Sequence, residues 1–189
     1  MRAETQSTTA DPASVVQSQQ YLTFVLAGEV FAIGILAIKE IIEYANPTGV
    51  PMMPEYLRGV INLRGLVVPV IDLAVRFGRP ASPVTKRTCI VIVEIELDGE
   101  RYDIGAVVDA VNAVVEIPSS EIEPPPSFGA RIRADFIAGM GKIDGRFVIL
   151  LDPRHVLAPA ELESLAGAIE APLVTGGAPA GEAQSARMP

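Results

Sequence analysis

The chain has 189 residues, with 23 Asp and Glu against 15 Lys and Arg, one His, one Cys and no Trp. A net charge of -8, unrelieved by any Lys/Arg run, repels phosphate backbones and argues against a nucleic-acid partner. One Cys closes no intramolecular disulfide, one His with one Cys builds no Cys/His zinc site, and His-dependent catalysis would have to run through His155 alone.

Residues 1–19 hold no aromatic residue and are rich in Ser, Thr and Gln, so they read as a flexible N-terminus without a signal segment. The longest uncharged apolar run, Val30 to Ile38, is nine residues, where a spanning helix needs about 20. The expectation is a cytoplasmic chain with no direct membrane insertion and with Cys89 reduced. Strand 21–27 alternates Leu22, Phe24 and Leu26 on one face, and Gly28 and Glu29 turn the chain into strand 30–34. Residues 35–42 are ambiguous and fit a short helix followed by a strand. The Pro-flanked stretch 47–54 is stiff and shapes a loop, and 54–58 fits one helical turn with Pro at its start. Strands 59–63 and 66–73 flank a turn at Arg64 and Gly65. Pro69 sits inside the second of these, which predicts an edge strand or a bulge. A second helical turn fits 73–77, before Gly78.

Strand 88–97 is rich in β-branched residues and ends at Asp98 and Gly99, a strong two-residue hairpin signal, after which 101–108 returns. Strands 136–143 and 146–151 flank a matching turn, Asp144 and Gly145. The best helix candidate is 159–166, with Pro159 early and Gly167 past its end. Beyond it, Ala, Gly and Pro make up 14 of the 24 residues 166–189, which read as a disordered tail. The predicted domain is therefore 20–165. Nine or ten short strands joined by hairpins predict an all-β barrel architecture with short helices and a C-terminal helix.

The chain also repeats itself. Gly28-Glu29 and Ile33-Gly34 match Gly99-Glu100 and Ile104-Gly105 at an offset of 71, and Leu22, Phe24 and Leu26 align with Val93, Ile95 and Leu97. Tyr56, Gly59, Gly65 and Asp72 match Phe136, Gly139, Gly145 and Asp152 at an offset of 80. The nine-residue difference is an insertion, placed in the Pro-rich stretch 118–126. Two duplicated barrels of about 60–75 residues each are near the lower limit for independent folding, so they should share a core or exchange strands.

Little in the chain points to chemistry of its own. Asp72, Asp109 and Asp152 each end an apolar strand. They read either as a carboxylate cluster for metal or acid–base work, or as caps and turn starters, and the second is favoured. His155 is a general base, a phosphoacceptor or a structural surface His, and no Ser or Cys nucleophile motif accompanies it. Gly139-Met140-Gly141-Lys142 lacks the rest of any phosphate-loop or dinucleotide fingerprint. Arg64 is the most informative charge. On a tight turn between apolar strands, it either presents a fork to a partner carboxylate or carbonyl, or is a solvated hairpin residue. Glu40 is a contact charge or a solvated one, and Gly59 and Gly105 are close-approach sites or turn and bulge positions.

The run Gly59-Val60-Ile61-Asn62-Leu63-Arg64-Gly65, followed by Val68-Pro69-Val70-Ile71-Asp72-Leu73, resembles the CheW family of chemotaxis coupling proteins. Residues 20–34, Ile38-Lys39-Glu40-Ile41, 105–111, 122–126 and 139–152 resemble further segments of that family, with Ala110 where Ser or Gly is common. The resemblance implies two SH3-like five-stranded β-barrels around a shared core, no catalytic activity and no cofactor. It implies an adaptor that couples the cytoplasmic tips of methyl-accepting chemoreceptors to a CheA-type histidine kinase, through the kinase's CheW-like regulatory domain. Such an adaptor would be recruited to receptor arrays at the inner face of the membrane. Carried over by position, the receptor-binding residues would be Ile38, Glu40, Ile41, Asn62 and Arg64, with Gly59 and Gly105 shaping the groove. The kinase-facing residues stay unassigned, and so does the pathway, which could also be pilus motility or gene regulation.

Overall fold

The computed structural model describes residues 18–97, 99–125 and 132–157. The predicted helix 159–166 and the tail lie outside them. The described residues form eleven strands in two sheets. In chain order these are β1 (Ser18–Leu26), β2 (Glu29–Gly34), β3 (Ile38–Glu43), β4 (Leu57–Leu63), β5 (Leu66–Asp72), β6 (Cys89–Leu97), β7 (Glu100–Val108), β8 (Ala110–Pro118), β9 (Ile122–Glu123), β10 (Ile137–Ile143) and β11 (Arg146–Leu151). Two short helices, α1 (Leu73–Arg76) and α2 (Pro153–Leu157), follow β5 and β11. Residues 35–42 resolve into a 3-10 turn, Ile35–Ala37, and then β3, as the pattern allowed. The helical turn expected at 54–58 is instead a reverse turn, in which the Leu57 amide donates to the Pro54 carbonyl at 2.9 Å, and β4 begins at once.

The sheet orders are β8-β1-β2-β11-β10-β9 and β3-β6-β7-β5-β4. The duplication is visible in the pairing. Hairpins β1–β2 and β6–β7 correspond, and each is joined in parallel by the last strand of a second hairpin, β11 beside β2 and β5 beside β7. Register slips between Leu57 and Gly59 in β4 recur between Ile137 and Gly139 in β10, 80 residues later. The Thr48–Val60 bridge recurs as the β9–β10 pair. The halves exchange strands: β3 leaves its own hairpin to pair with β6, and β8 leaves its own to pair with β1. Each barrel therefore holds a hairpin from one half and the remaining strands from the other. The nine extra residues are not confined to 118–126. Sixteen residues separate Glu123 from Gly139 where eleven separate Thr48 from Gly59, and β8 runs nine residues against six in β3.

Pro69 lies on neither an edge nor a bulge, because β5 is flanked by β4 and β7. Its partner across the ladder is Val60, whose amide and carbonyl both point away toward Thr48 (2.9 and 2.8 Å). The Pro69 nitrogen thus faces the β7 side, where pairing begins only at Val70, and no ladder bond is lost there.

β6 shows why a β-branched run was needed. Ile90, Val91, Ile92 and Val93 are all buried: Ile90 and Ile92 join the cluster inside the barrel, and Val91 and Val93 are buried on the other face of the strand. Phe24, Phe31, Phe77 and Phe136, all buried, form a chain of rings, with centroids 6.2, 5.5 and 6.0 Å apart, the first pair stacked and the other two tilted. Arg76 lies over both Tyr56 and its repeat mate Phe136, 4.4 and 5.3 Å from the ring centres, and donates to the Val156 carbonyl. Burial, and then the neighbouring Arg133, push its guanidinium below its ordinary pKa.

Candidate functional site

The β4–β5 hairpin is a two-residue turn with both central residues left-handed, Arg64 at φ +52° and Gly65 at +89°. Such a turn favours Asn, Asp or Gly at its first position, and the repeat mate of Arg64 is Asp144, at φ +47°. A long cation is the costlier choice there. Asn62 holds the turn, its Oδ1 accepting from the Gly65 amide at 2.9 Å. Asn62 thus has a structural part that its place in the motif did not disclose.

Arg64 reaches back across the barrel mouth. Its Nη2 lies 2.8 Å from Glu40 Oε2 on β3, a strand on the opposite border of the same sheet. Arg64 is 78% exposed and Glu40 24%, so the pair closes the barrel while leaving most of the guanidinium open. Exposed apolar side chains follow on the same elements: Ile41 after Glu40 on β3, and Leu66 and Val67 directly after the turn. Ile38 is half-buried. Beneath the rim, Ile42, Tyr44, Ile61 and Leu63 pack on the buried cluster of Val68, Val70, Ile90, Ile92 and Val107. Four of the expected contact residues, Glu40, Ile41, Asn62 and Arg64, therefore gather where β3 meets the β4–β5 turn.

Gly59 and Gly105 do not line an exposed groove. Both are buried. Gly59 sits at φ +134° against the Thr48 carbonyl, which a Cβ would overlap. A Cβ on Gly105 would lie 2.7 Å from Ile90 Cγ2 and 3.2 Å from Val70 Cγ2, inside the barrel. Their work is to let backbone and core approach closely under the site.

Lys39, which the sequence offered no reason to single out, ties β3 to β6 and β7. Its Nζ lies 3.0 Å from both Asp103 oxygens and 3.3 Å from Glu94. These bonds, Asp103 first and then Glu94, hold the ammonium above its ordinary pKa. Leu66 and Val67 were also missed. A run of apolar residues reads as a strand and carries no sign of which members face water.

The three strand-ending aspartates are structural. Asp72 is 3% exposed. It takes bonds from Arg58 Nε and Nη2 at 2.9 and 2.8 Å and caps α1 through the Val75 amide. Asp109 accepts from the Ala27 amide at 2.7 Å, bracing the β1–β2 turn. Asp152 accepts from the Arg154 amide and from His155 Nδ1, on an exposed ring. Cys89 is partly buried, its thiol donating to the Arg87 carbonyl. Among the described residues no three His, Cys, Asp or Glu side chains are grouped to hold a metal. A cavity of about 920 Å³ lies on the other sheet, beside Thr23, Val30, Met140 and Phe147, and none of the expected contact residues lines it.

This double barrel has known counterparts. The CheW-like domain family matches residues 20–161. The chain belongs to the CheW-like family. It is 31% identical over 156 residues to the chemotaxis protein CheW of Klebsiella aerogenes, covering 82% of this chain and 92% of that one. It is 32% identical over 145 residues to the chemotaxis protein CheW of Bacillus subtilis, covering 77% and 90%. The crystal structure of the scaffolding protein TtCheW from Thermoanaerobacter tengcongensis superposes with a TM-score of 0.69 at 34% identity, over 76% of this chain and 95% of that one. The matched span of this CheW-like chain contains both barrels and the whole Arg64–Glu40 site. No helix among its described residues is long and apolar enough to cross a membrane.

Proposed function

We propose that this CheW-like chain is a non-enzymatic adaptor of chemotaxis signalling, coupling the cytoplasmic tips of chemoreceptors to a CheA-type histidine kinase. It works in the cytoplasm and is recruited to receptor arrays at the inner membrane face. The observation that carries the reading is the Arg64–Glu40 pair on its left-handed turn, with Ile41, Leu66 and Val67 exposed on the same strands. A residue held in a costly conformation, with its charge displayed at an apolar rim, suits recognition better than folding. The receptor tip is an α-helical hairpin. Its apolar knobs would seat on Ile41, Leu66 and Val67, and its backbone or side-chain oxygens would meet the open side of the guanidinium. One such small patch gives modest affinity. Repetition of receptor and kinase contacts in an array would strengthen the assembly through multivalency. Asp72, Asp109 and Asp152, the candidate carboxylates for catalysis, each cap or brace a turn, which favours an adaptor over an enzyme.

The test is binding of the full chain to a soluble receptor-tip fragment, alongside receptor-stimulated kinase activity. Arg64→Ala should weaken fragment binding about tenfold and lower the stimulated activity. Its melting temperature should barely move, since an exposed pair contributes at most about 1 kcal/mol. Wild-type binding and stimulation by the Arg64→Ala protein would refute the assignment.

A further inference from the structure

The site depends on one irregularity in β3. Pairing with β6 sets Ile38 opposite Val93, but then Glu40, not Lys39, opposite Ile92. Lys39 is the extra residue of a β-bulge. In a regular ladder Glu40 would stand opposite Val91 and Ile41 opposite Ile90, because a one-residue slip moves every side chain to the other face. Glu40 would then turn away from Arg64, and Ile41 would point at buried Ile90, inside the barrel. The bulge is what places Glu40 toward Arg64 and leaves Ile41 exposed.

A bulge breaks ladder bonds and needs something to hold it. On the neighbouring strands, Glu94 of β6 and Asp103 of β7 stand directly opposite each other, an arrangement of like charges that repels. Neither carboxylate is well solvated, at 32% and 16% exposure. The Lys39 ammonium sits between them, bonded to both oxygens of Asp103 and to Glu94. Arg101, 3.4 Å from Glu94 and 70% exposed, adds only a looser contact. The bulge thus projects a cation that reaches both acids, and the acids in turn fix the bulge.

We propose that Lys39, clamped by Asp103 and Glu94, is the positioning residue of the docking strand, setting the bulge that decides the faces of Glu40 and Ile41. The proposal rests on the docking reading given above. The test uses the full chain, a receptor-tip fragment and amide hydrogen exchange along β3 followed by NMR. Lys39→Gln keeps the stem and removes the charge. It should speed exchange in β3 about tenfold and weaken fragment binding about three- to tenfold. Asp103→Asn leaves β3 itself untouched and should reproduce both effects. Lys39→Arg should restore both to within about twofold. Unchanged exchange and unchanged binding in the Gln and Asn variants overturn the proposal. Weaker binding with unchanged exchange also overturns it, since Lys39 would then be a direct contact. Faster exchange with undiminished binding severs the bulge from docking and overturns it too. The Arg64→Ala protein separates the two ideas: wild-type binding there sinks the docking reading, while the exchange data still decide whether Lys39 holds the strand.

Discussion

Gly59 and Gly28 both have positive φ, yet they should respond very differently to a methyl group. At Gly59 a Cβ would overlap the Thr48 carbonyl, which is backbone, and Thr48 is tied to Val60 by two hydrogen bonds at 2.8 and 2.9 Å. Neither partner can move without losing that bridge. Gly59→Ala should therefore destabilise the protein by more than about 3 kcal/mol. At Gly28 a Cβ would meet nothing within 4 Å, so Gly28→Ala should cost only the left-handed conformation, about 1 kcal/mol. Urea midpoints for the two variants check the difference, and equal midpoints would contradict it. The sequence left Gly59 open between a close approach and a simple turn. Its neighbour Thr48 lies eleven residues away and is brought close only by the loop's return along β4.

At the scale of elements, the alkaline limit of stability should lie in the strand ladders. Tyr21 on β1 has its phenol pushed up by burial, and Lys39 on β3 has its ammonium pushed up by Asp103 and Glu94. In both, the folded form holds its proton more tightly than the unfolded chain. Their stabilisation is therefore fully present below the unfolded values, about 10 to 10.4, and is lost as pH rises through the folded ones. Asp135, held below the usual carboxylate range by Arg133, acts in the opposite direction, losing its contribution as pH falls below about 4. The urea midpoint should thus be flat between about pH 6 and 9 and should fall above about pH 10. Lys39→Gln should make that fall shallower, and an identical slope would show that the clamp does not titrate with folding. The hairpins themselves were legible, because turn residues and period-two patterns are local. Arg64-Gly65 and Asp144-Gly145 were marked as turns, and both are left-handed turns in the fold. The β3 bulge was not legible, since Ile38-Lys39-Glu40-Ile41 reads the same with or without it.

At the scale of the molecule, exchange of strands makes the halves interdependent. The first half lacks partners for the outer side of β1, and β3 has nothing to pair with until β6 arrives. Residues 1–87 alone should show little β signal by circular dichroism, and so should 88–189. Mixed together, they should regain it. A folded, cooperatively melting 1–87 fragment would show that the first half closes on its own strands. The intact double barrel should melt in one transition, because Phe24, Phe31, Phe77 and Phe136 form one aromatic chain with contributions from both halves.

The sequence by itself determined the all-β class, the hairpins, the duplication and the turn that carries Arg64, because each is written in patterns a few residues long or in one segment repeating another. Only the tertiary structure decided which half supplies which strand, that Pro69 faces an unpaired side, and that Glu40 meets Arg64 across a closed barrel. Those outcomes depend on pairings between residues far apart in the chain. There a shift of one position exchanges the two faces of a strand, and no local pattern records which register is taken.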